Sequence, residues 1–295
     1  MKQRFALFLV LLLVLSVAIL PGYAQLEENL GGLTKENLDG YLGPLNTALS
    51  GTMNSAIFRT GFVPQSGLTF SIGLAAMAVG FGDDDVTYMP SDPPGFTSLE
   101  ETQVPTVVGD PEGQVVEGQN GLAQIYPGGF DMSGFEIAVP QLSIGSAYGT
   151  RAIIRYIALD LGDADIGSFT YFGFGGQHSI SQWFETLPVD LAAGLFFQSF
   201  EIGDIMKVKA TQFNVTASKT FGVVQPYVGL GYDAISTNVK YKNEDLDSSF
   251  DVDLDTESNA HLTLGAMAKI PGIAVFMEFN AAAASGFALG LEFGI

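Results

Sequence analysis

Long stretches of this chain alternate apolar residues with small or weakly polar ones at a period of two, and that alternation narrows the fold more than any other feature. In SGFALGLEFGI, Ser285, Phe287, Leu289, Leu291, Phe293 and Ile295 fall on one face, with Gly286, Ala288, Gly290, Glu292 and Gly294 on the other. LTFSIGLAAMA sets Leu68, Phe70, Ile72 and Leu74 against Thr69, Ser71 and Gly73. VVQPYVGLGYDA sets Val224, Val228, Leu230 and Tyr232 against Gln225, Tyr227, Gly229, Gly231 and Asp233, and LPVDLAAGLFF, HLTLGAMAKI and IAVFMEFN follow suit. Successive side chains of a strand point to opposite faces, so each strand meets two different surroundings.

A half-buried soluble sheet also alternates. Three features favour a membrane barrel instead. The alternating runs cover about 10–14 residues, against about 5–6 for an ordinary strand. Their weakly polar faces carry Gly, Ala, Ser and Thr where a soluble sheet carries charge; charged residues make up only 15% of the chain. The chain also opens like an exported protein. MKQR is basic, FALFLVLLLVLSVAIL is apolar, and Gly22 and Ala24 are small, which predicts a signal peptide over 1–24. No later stretch is apolar for the ~18 residues that a spanning helix needs. In hydrocarbon every backbone polar group must be paired internally, so strands span only as a closed barrel.

The expected fold is therefore all-β: a closed antiparallel up-and-down transmembrane β-barrel of ten strands in the bacterial outer membrane, with both termini periplasmic. The strands are read at 67–79, 134–145, 149–159, 167–179, 187–200, 207–220, 223–240, 257–270, 272–281 and 284–295. VPTVVGDPEGQVVEG reads as a further hairpin that extends above the membrane or raises the count to twelve. Before the barrel, residues 25–66 form a helical N-terminal segment and a candidate plug. Leu38, Tyr41, Leu42, Leu45 and Leu49 share one helical face, Thr34 is a plausible N-cap, and Pro44 with Gly40 and Gly43 predicts one broken or two short helices over 34–58. Residues 67–295 are the barrel.

Charge sorts by connection. The loop 80–133 holds ten acids from Asp83 to Asp131 and no Lys or Arg, whereas the alternate connections 146–149, 180–186, 221–222 and 271–272 are short and hold only Glu185. Long loops on one side and short turns on the other are the signature of an outer-membrane barrel. A formal charge of −20 with 12 basic residues excludes nucleic acid as a partner. The implied partners are outer-membrane lipids and, at the acidic loops, divalent cations. Asp251, Asp253 and Asp255 share a strand face that is either a cation ligand set or a solvated rim.

No residue pattern points to catalysis, a cofactor or a metal centre. The chain has no Cys. Its two histidines lack the neighbours that a barrel lipase would want: Ile180 stands two residues after His178, and Thr263 two after His261, where a Ser is needed. Both read as structural, and the chain does not read as an enzyme. Charge on the lipid face costs about 2–4 kcal/mol for Arg or Lys at mid-membrane. Arg151, Arg155, Asp190, Asp233, Glu278 and Glu292 are therefore read as lining the lumen, with Asn280 beside them.

YLGPLNTALSGTMNSAIFRTG, with Tyr41, Pro44 and Gly61, resembles a segment of an uncharacterised family of bacterial outer-membrane β-barrels, a domain-of-unknown-function family. PQLSIGSAYGTRAIIRY through FGFGGQHSISQWFETLPVDLAAG, with Gly149, Thr150, Arg155, His178, Trp183, Leu187 and Pro188, resembles the same family. The resemblance implies the barrel and no known activity. A helical segment ahead of the barrel also resembles outer-membrane transporters of hydrophobic compounds. Gly290, Phe293 and Ile295 resemble the C-terminal signal read by the barrel-assembly machinery, a further implied partner; Ala288 departs from its usual polar residue. Two functions are expected from these features. One is a pore or carrier for small solutes, and the other is a structural or adhesive surface barrel with a filled lumen that acts through its acidic loops.

Overall fold

The structure, a computed structural model, describes residues 26, 29–160, 168–184, 186–243, 248–254 and 257–294. The expected signal peptide, Glu185, Asp255 and Ile295 lie outside the described residues. The helix α1 (Lys35–Met53) precedes the strands. These are β1 (Ser66–Gly80), β2 (Thr87–Tyr88), β3 (Val104–Pro105), β4 (Gln114–Glu117), β5 (Ala123–Tyr126), β6 (Gly134–Ala147), β7 (Thr150–Asp160) and β8 (Ser168–Ser179). They continue with β9 (Asp190–Ile202), β10 (Met206–Ser218), β11 (Val224–Asn243), β12 (Ser248–Asp253), β13 (Glu257–Ile270), β14 (Ile273–Ala281) and β15 (Gly286–Gly294).

The wall is β1, β6 to β11 and β13 to β15, each antiparallel to its neighbours. It closes where β15 pairs with β1, from Ser71 opposite Gly294 to Val79 opposite Gly286, while β10 pairs with β11. No edge remains among these strands, as a hydrocarbon environment demands. The barrel thus has ten strands. The hairpin suggested within the long loop forms as β4 with β5 but stays outside the wall, and β12 pairs only with the far end of β11.

Alternation resolves into two faces. Phe70, Ile72, Leu195, Phe213, Leu230, Met277, Phe287 and Leu289 stand exposed on the outside, with Leu230 64% and Leu289 62% accessible. A continuous apolar belt of this kind needs lipid, not water, around it. The inward face holds the glycines and polar residues of the same strands, Gly194, Gly229, Gln225 and Asp233 among them.

Two expectations change. The helix runs unbroken from Lys35 to Met53 with Pro44 inside it, capped by Thr34, whose Oγ1 accepts from the Asn37 N–H at 3.4 Å. An interior Pro costs about 3 kcal/mol; burial of Leu38, Tyr41, Leu42, Leu49 and Met53 on several sides of α1 offsets it. After Met53 the chain is not helical but crosses to β1 as a strap over residues 54–65. The termini themselves lie outside the described residues, but Asn29 sits beside Gly128 at the long-loop end and Gly294 beside Gly272 at the short-turn end.

The belt makes a direct prediction. Leu289→Arg should lower the unfolding free energy of the liposome-embedded barrel by about 2–4 kcal/mol in a denaturant titration, the cost of a lipid-facing Arg near mid-membrane.

Candidate functional site

The lumen is filled by the chain's own N-terminal segment, in two halves of different chemistry. In the long-loop half α1 packs into an apolar chamber. Leu38, Leu42, Leu49 and Met53 join one core with Met77 and Val79 of β1, Ile137 and Val139 of β6, and Phe200 of β9. The loop between β1 and β6 closes over the start of the helix. Tyr41 donates its hydroxyl to the Gly128 carbonyl at 2.8 Å, and the Val107 N–H donates to the Tyr41 carbonyl at 2.9 Å. The Asn37 side chain donates to the Ser91 carbonyl at 2.9 Å and accepts from its N–H at 2.8 Å. Within the barrel Thr237 donates to Asn46 Oδ1 at 2.5 Å.

The short-turn half is polar, because the strap that crosses it has no helix to satisfy its backbone. A buried N–H or C=O left unpaired costs about 1–3 kcal/mol, and here the wall side chains take these groups. Arg155 donates to the Met53 carbonyl at 3.2 Å, the Ser55 carbonyl at 2.9 Å and Gln141 Oε1 at 2.8 Å. Gln212 donates to the Asn54 carbonyl at 2.8 Å, and Gln177 to the Thr60 carbonyl at 3.0 Å. Glu278 accepts from the Ala56 N–H at 2.6 Å, and Ser218 from the Gly61 N–H at 2.9 Å. Arg59 forms an ion pair with Glu292 at 2.5 Å and lies over the Phe276 ring at 4.2 Å. Phe58 meets Phe196 edge-on and occupies room that Gly194 leaves: a Cβ at 194 would come within 2.4 Å of the Phe58 ring.

Behind the strap runs a buried chain of acids and amides. His261 Nδ1 lies 2.5 Å from Asp233 Oδ2 and Nε2 lies 2.9 Å from Asn280 Oδ1. That Asn280 oxygen also accepts from Thr263 at 2.8 Å, while its Nδ2 donates to Glu278 at 2.9 Å, which fixes the amide orientation. His261 thus sits between the Asp233 carboxylate and the Asn280 amide oxygen, with Gln212 Nε2 3.3 Å from the same Nδ1. Tyr227 completes the chain, donating to Glu278 at 2.7 Å.

Of the residues read as lumen-lining, Arg155, Asp233 and Glu278 are fully buried around the strap, while Arg151, Asp190 and Glu292 are half-buried at the short-turn end. Glu278 and Asp233 join one network; Arg155 reaches the strap from the opposite wall. Gly290 faces inward, where a Cβ would meet the Phe276 ring at 2.5 Å, and Phe293 is half-buried in β15. His178 is apart from His261, on the outer face, bonded to Thr150 and Gln182. At the acidic rim Asn238 donates to Asp251 at 2.6 Å and to Asp253 at 2.9 Å, and Lys240 lies 3.4 Å from Asp251. The Asn238 hydrogen bond, with Lys240 adding to it, holds the Asp251 carboxyl below the usual carboxylate range. Among the described residues no three His, Asp or Glu side chains gather as a metal site. Sequence reading missed the inward glutamines, Gln141, Gln177, Gln198, Gln212 and Gln225, all buried. Their signal was available: each sits on the small-residue face of an alternating strand.

The sequence profile of one family matches residues 1–295, end to end. The chain belongs to that family, DUF6588, a family of unknown function. No curated protein matches the sequence. Among solved structures, the outer membrane protease OmpT of Escherichia coli is similar at 10% identity, over 79% of this chain and 98% of that one, with a TM-score of 0.36. The toluene transporter TbuX of Ralstonia pickettii is similar at 11% identity, over 90% of this chain and 98% of that one, with a TM-score of 0.30. Neisserial surface protein A is similar at 9% identity, over 77% of this chain and 99% of that one, with a TM-score of 0.30.

Arg59 reports on the strap, since trypsin cleaves after Arg and Arg59 is only 4% exposed. Trypsin should leave this bond intact in the folded barrel. Arg155→Leu removes two charged hydrogen bonds to strap carbonyls, worth about 1.5–3 kcal/mol each. It should speed cleavage after Arg59 by at least about tenfold, with the heat-modifiable mobility of the folded barrel on SDS gels unchanged.

Proposed function

We propose that this protein is an outer-membrane carrier for small solutes, with α1 and the strap as a plug that leaves the lumen to open it. One observation carries the reading. Among the described residues, every hydrogen bond from the backbone of residues 54–61 to the wall ends on a wall side chain, not on wall backbone. A filler that shares no ladder with the wall separates from it without breaking the barrel. The groups it leaves behind are Gln, Ser, Glu and Arg, which water satisfies as well as the strap does. The vacated long-loop half would be lined by Met77, Val79, Ile137, Val139 and Phe200, an apolar chamber suited to apolar solutes.

The second reading, a structural or adhesive barrel, is favoured by the long loop itself. Its acidic residues sit on an ordered cap, in which β2 pairs with β3 and β4 with β5, that closes over α1. Such a barrel would keep its plug permanently.

The two readings part in planar bilayers. A Cβ built at Gly51 lies 3.4 Å from the Ala284 Cβ, close to the ~3.8 Å of a disulfide, and the chain has no competing Cys. Gly51→Cys with Ala284→Cys should therefore tie α1 to the mouth. Deletion of 34–58 should raise single-channel conductance. The oxidised double variant should conduct less, and take up less apolar solute into liposomes, than the same protein reduced. Zero conductance and identical solute uptake in all forms would contradict the carrier and leave the capped structural barrel.

A further inference from the structure

The short-turn mouth of the lumen holds a cavity of about 300 Å³ between the strap and the wall. Its charge runs against that of the molecule. In a chain of net charge −20, every arginine after residue 24 lies in the barrel interior, and two of them, Arg59 and Arg151, line this cavity with Lys269. Among the described residues the only carboxylate in the lining is Glu292, and it is taken by Arg59 at 2.5 Å. Asp190 is the next acid round the mouth that acts on Lys269, and it lies outside the lining.

Two cations are thus left over. Arg151 donates one Nη2 hydrogen bond to Gln177 Oε1 at 2.6 Å, but its Nε is buried with no acceptor. Lys269 has no carboxylate within ion-pair distance among the described residues. A buried guanidinium N–H without a partner is costly, and charge removed from water requires a counter-charge. An acceptor placed between Arg151 and Lys269 would supply both. Phe62 from the strap and Met267 and Ile273 from the wall give the lining an apolar part, beside the hydroxyl residues Thr60, Thr69, Ser71 and Ser143. A volume near 300 Å³ is the lower end of small-molecule sites, which run from about 300 to 1,000 Å³.

We infer that this mouth is a binding site for a small organic anion, with one carboxylate or phosphate head between Arg151 and Lys269 and an apolar body against Phe62, Met267 and Ile273. The head lies beside the Arg59–Glu292 pair, so an occupied site competes for Arg59 at the point where the strap leaves the lumen. The inference stands on the cavity and its unpaired cations, and it holds whether or not the plug moves.

Benzoate is the probe, with benzamide as its neutral counterpart, titrated calorimetrically into the full-length barrel in dodecyl maltoside. Benzoate should bind saturably at one site per chain and benzamide at least tenfold more weakly. Arg151→Gln and Lys269→Gln should each weaken benzoate at least tenfold, while both variants retain the heat-modifiable mobility of the folded barrel. A lipid headgroup shares this chemistry, so the titration is repeated in nanodiscs of phosphatidylcholine with and without phosphatidic acid. Competition by phosphatidic acid assigns the site to a lipid phosphate; unchanged affinity assigns it to a free anion. Equal binding of benzoate and benzamide, no binding of either, or benzoate affinity unmoved by both substitutions overturns the site.

Discussion

A chain that crosses hydrocarbon must pair every backbone N–H and C=O within itself, and two parts of this molecule meet that demand in different ways. The wall meets it through ladders, which close only because β15 finds β1 over Ser71–Val79. The strap meets it through side chains, because it crosses the enclosed lumen alone. Arg155, Gln177, Gln212, Ser218 and Glu278 each spend a hydrogen bond on its backbone. The polar character of the inner wall follows from this second solution. So does the division of the lumen: apolar where α1 supplies its own hydrogen bonds, polar where the strap cannot.

The same division explains where the glycines are spent. Gly194 faces the Phe58 ring, so a larger residue there would collide with the plug and not merely fill a void. Small inward residues make the room that α1 and the strap occupy, and the apolar outer belt is unaffected by them. The buried charges are arranged to match. His261 is held between the Asp233 carboxylate and the Asn280 amide, and Arg59 brings its own positive charge to Glu292. The surplus remains at the short-turn mouth, on Arg151 and Lys269.

Most of the wall was legible in the sequence, because alternation is local: a residue and its neighbour two along share a face whatever the rest of the chain does. The ten strands and the inward parity of Arg155, Asp233 and Glu278 follow from that rule. What the rule cannot give is which inward residues meet, since Asp233 of β11 reaches His261 of β13 only through register. Nor does it give the strap. NSAIFRTG has no period, and its conformation is set by wall residues more than 80 positions away, such as Arg155 and Glu278. Pro44 misled for the related reason that its local penalty is outweighed by burial on several sides of α1. The five inward glutamines were visible but unread, because an amide on a small-residue face looks like ordinary lumen polarity until a backbone is found opposite it.

The central claim is that the filler and the wall are separate cooperative units, and amide hydrogen exchange in nanodiscs tests it most directly. The account predicts that amides of residues 54–61 are protected, yet exchange together through a sub-global opening well below the free energy of β7 to β9, with the wall amides unchanged during that opening. Exchange of the strap at the same rate as the wall, only when the whole barrel unfolds, would contradict it. So would a strap with no protection at all.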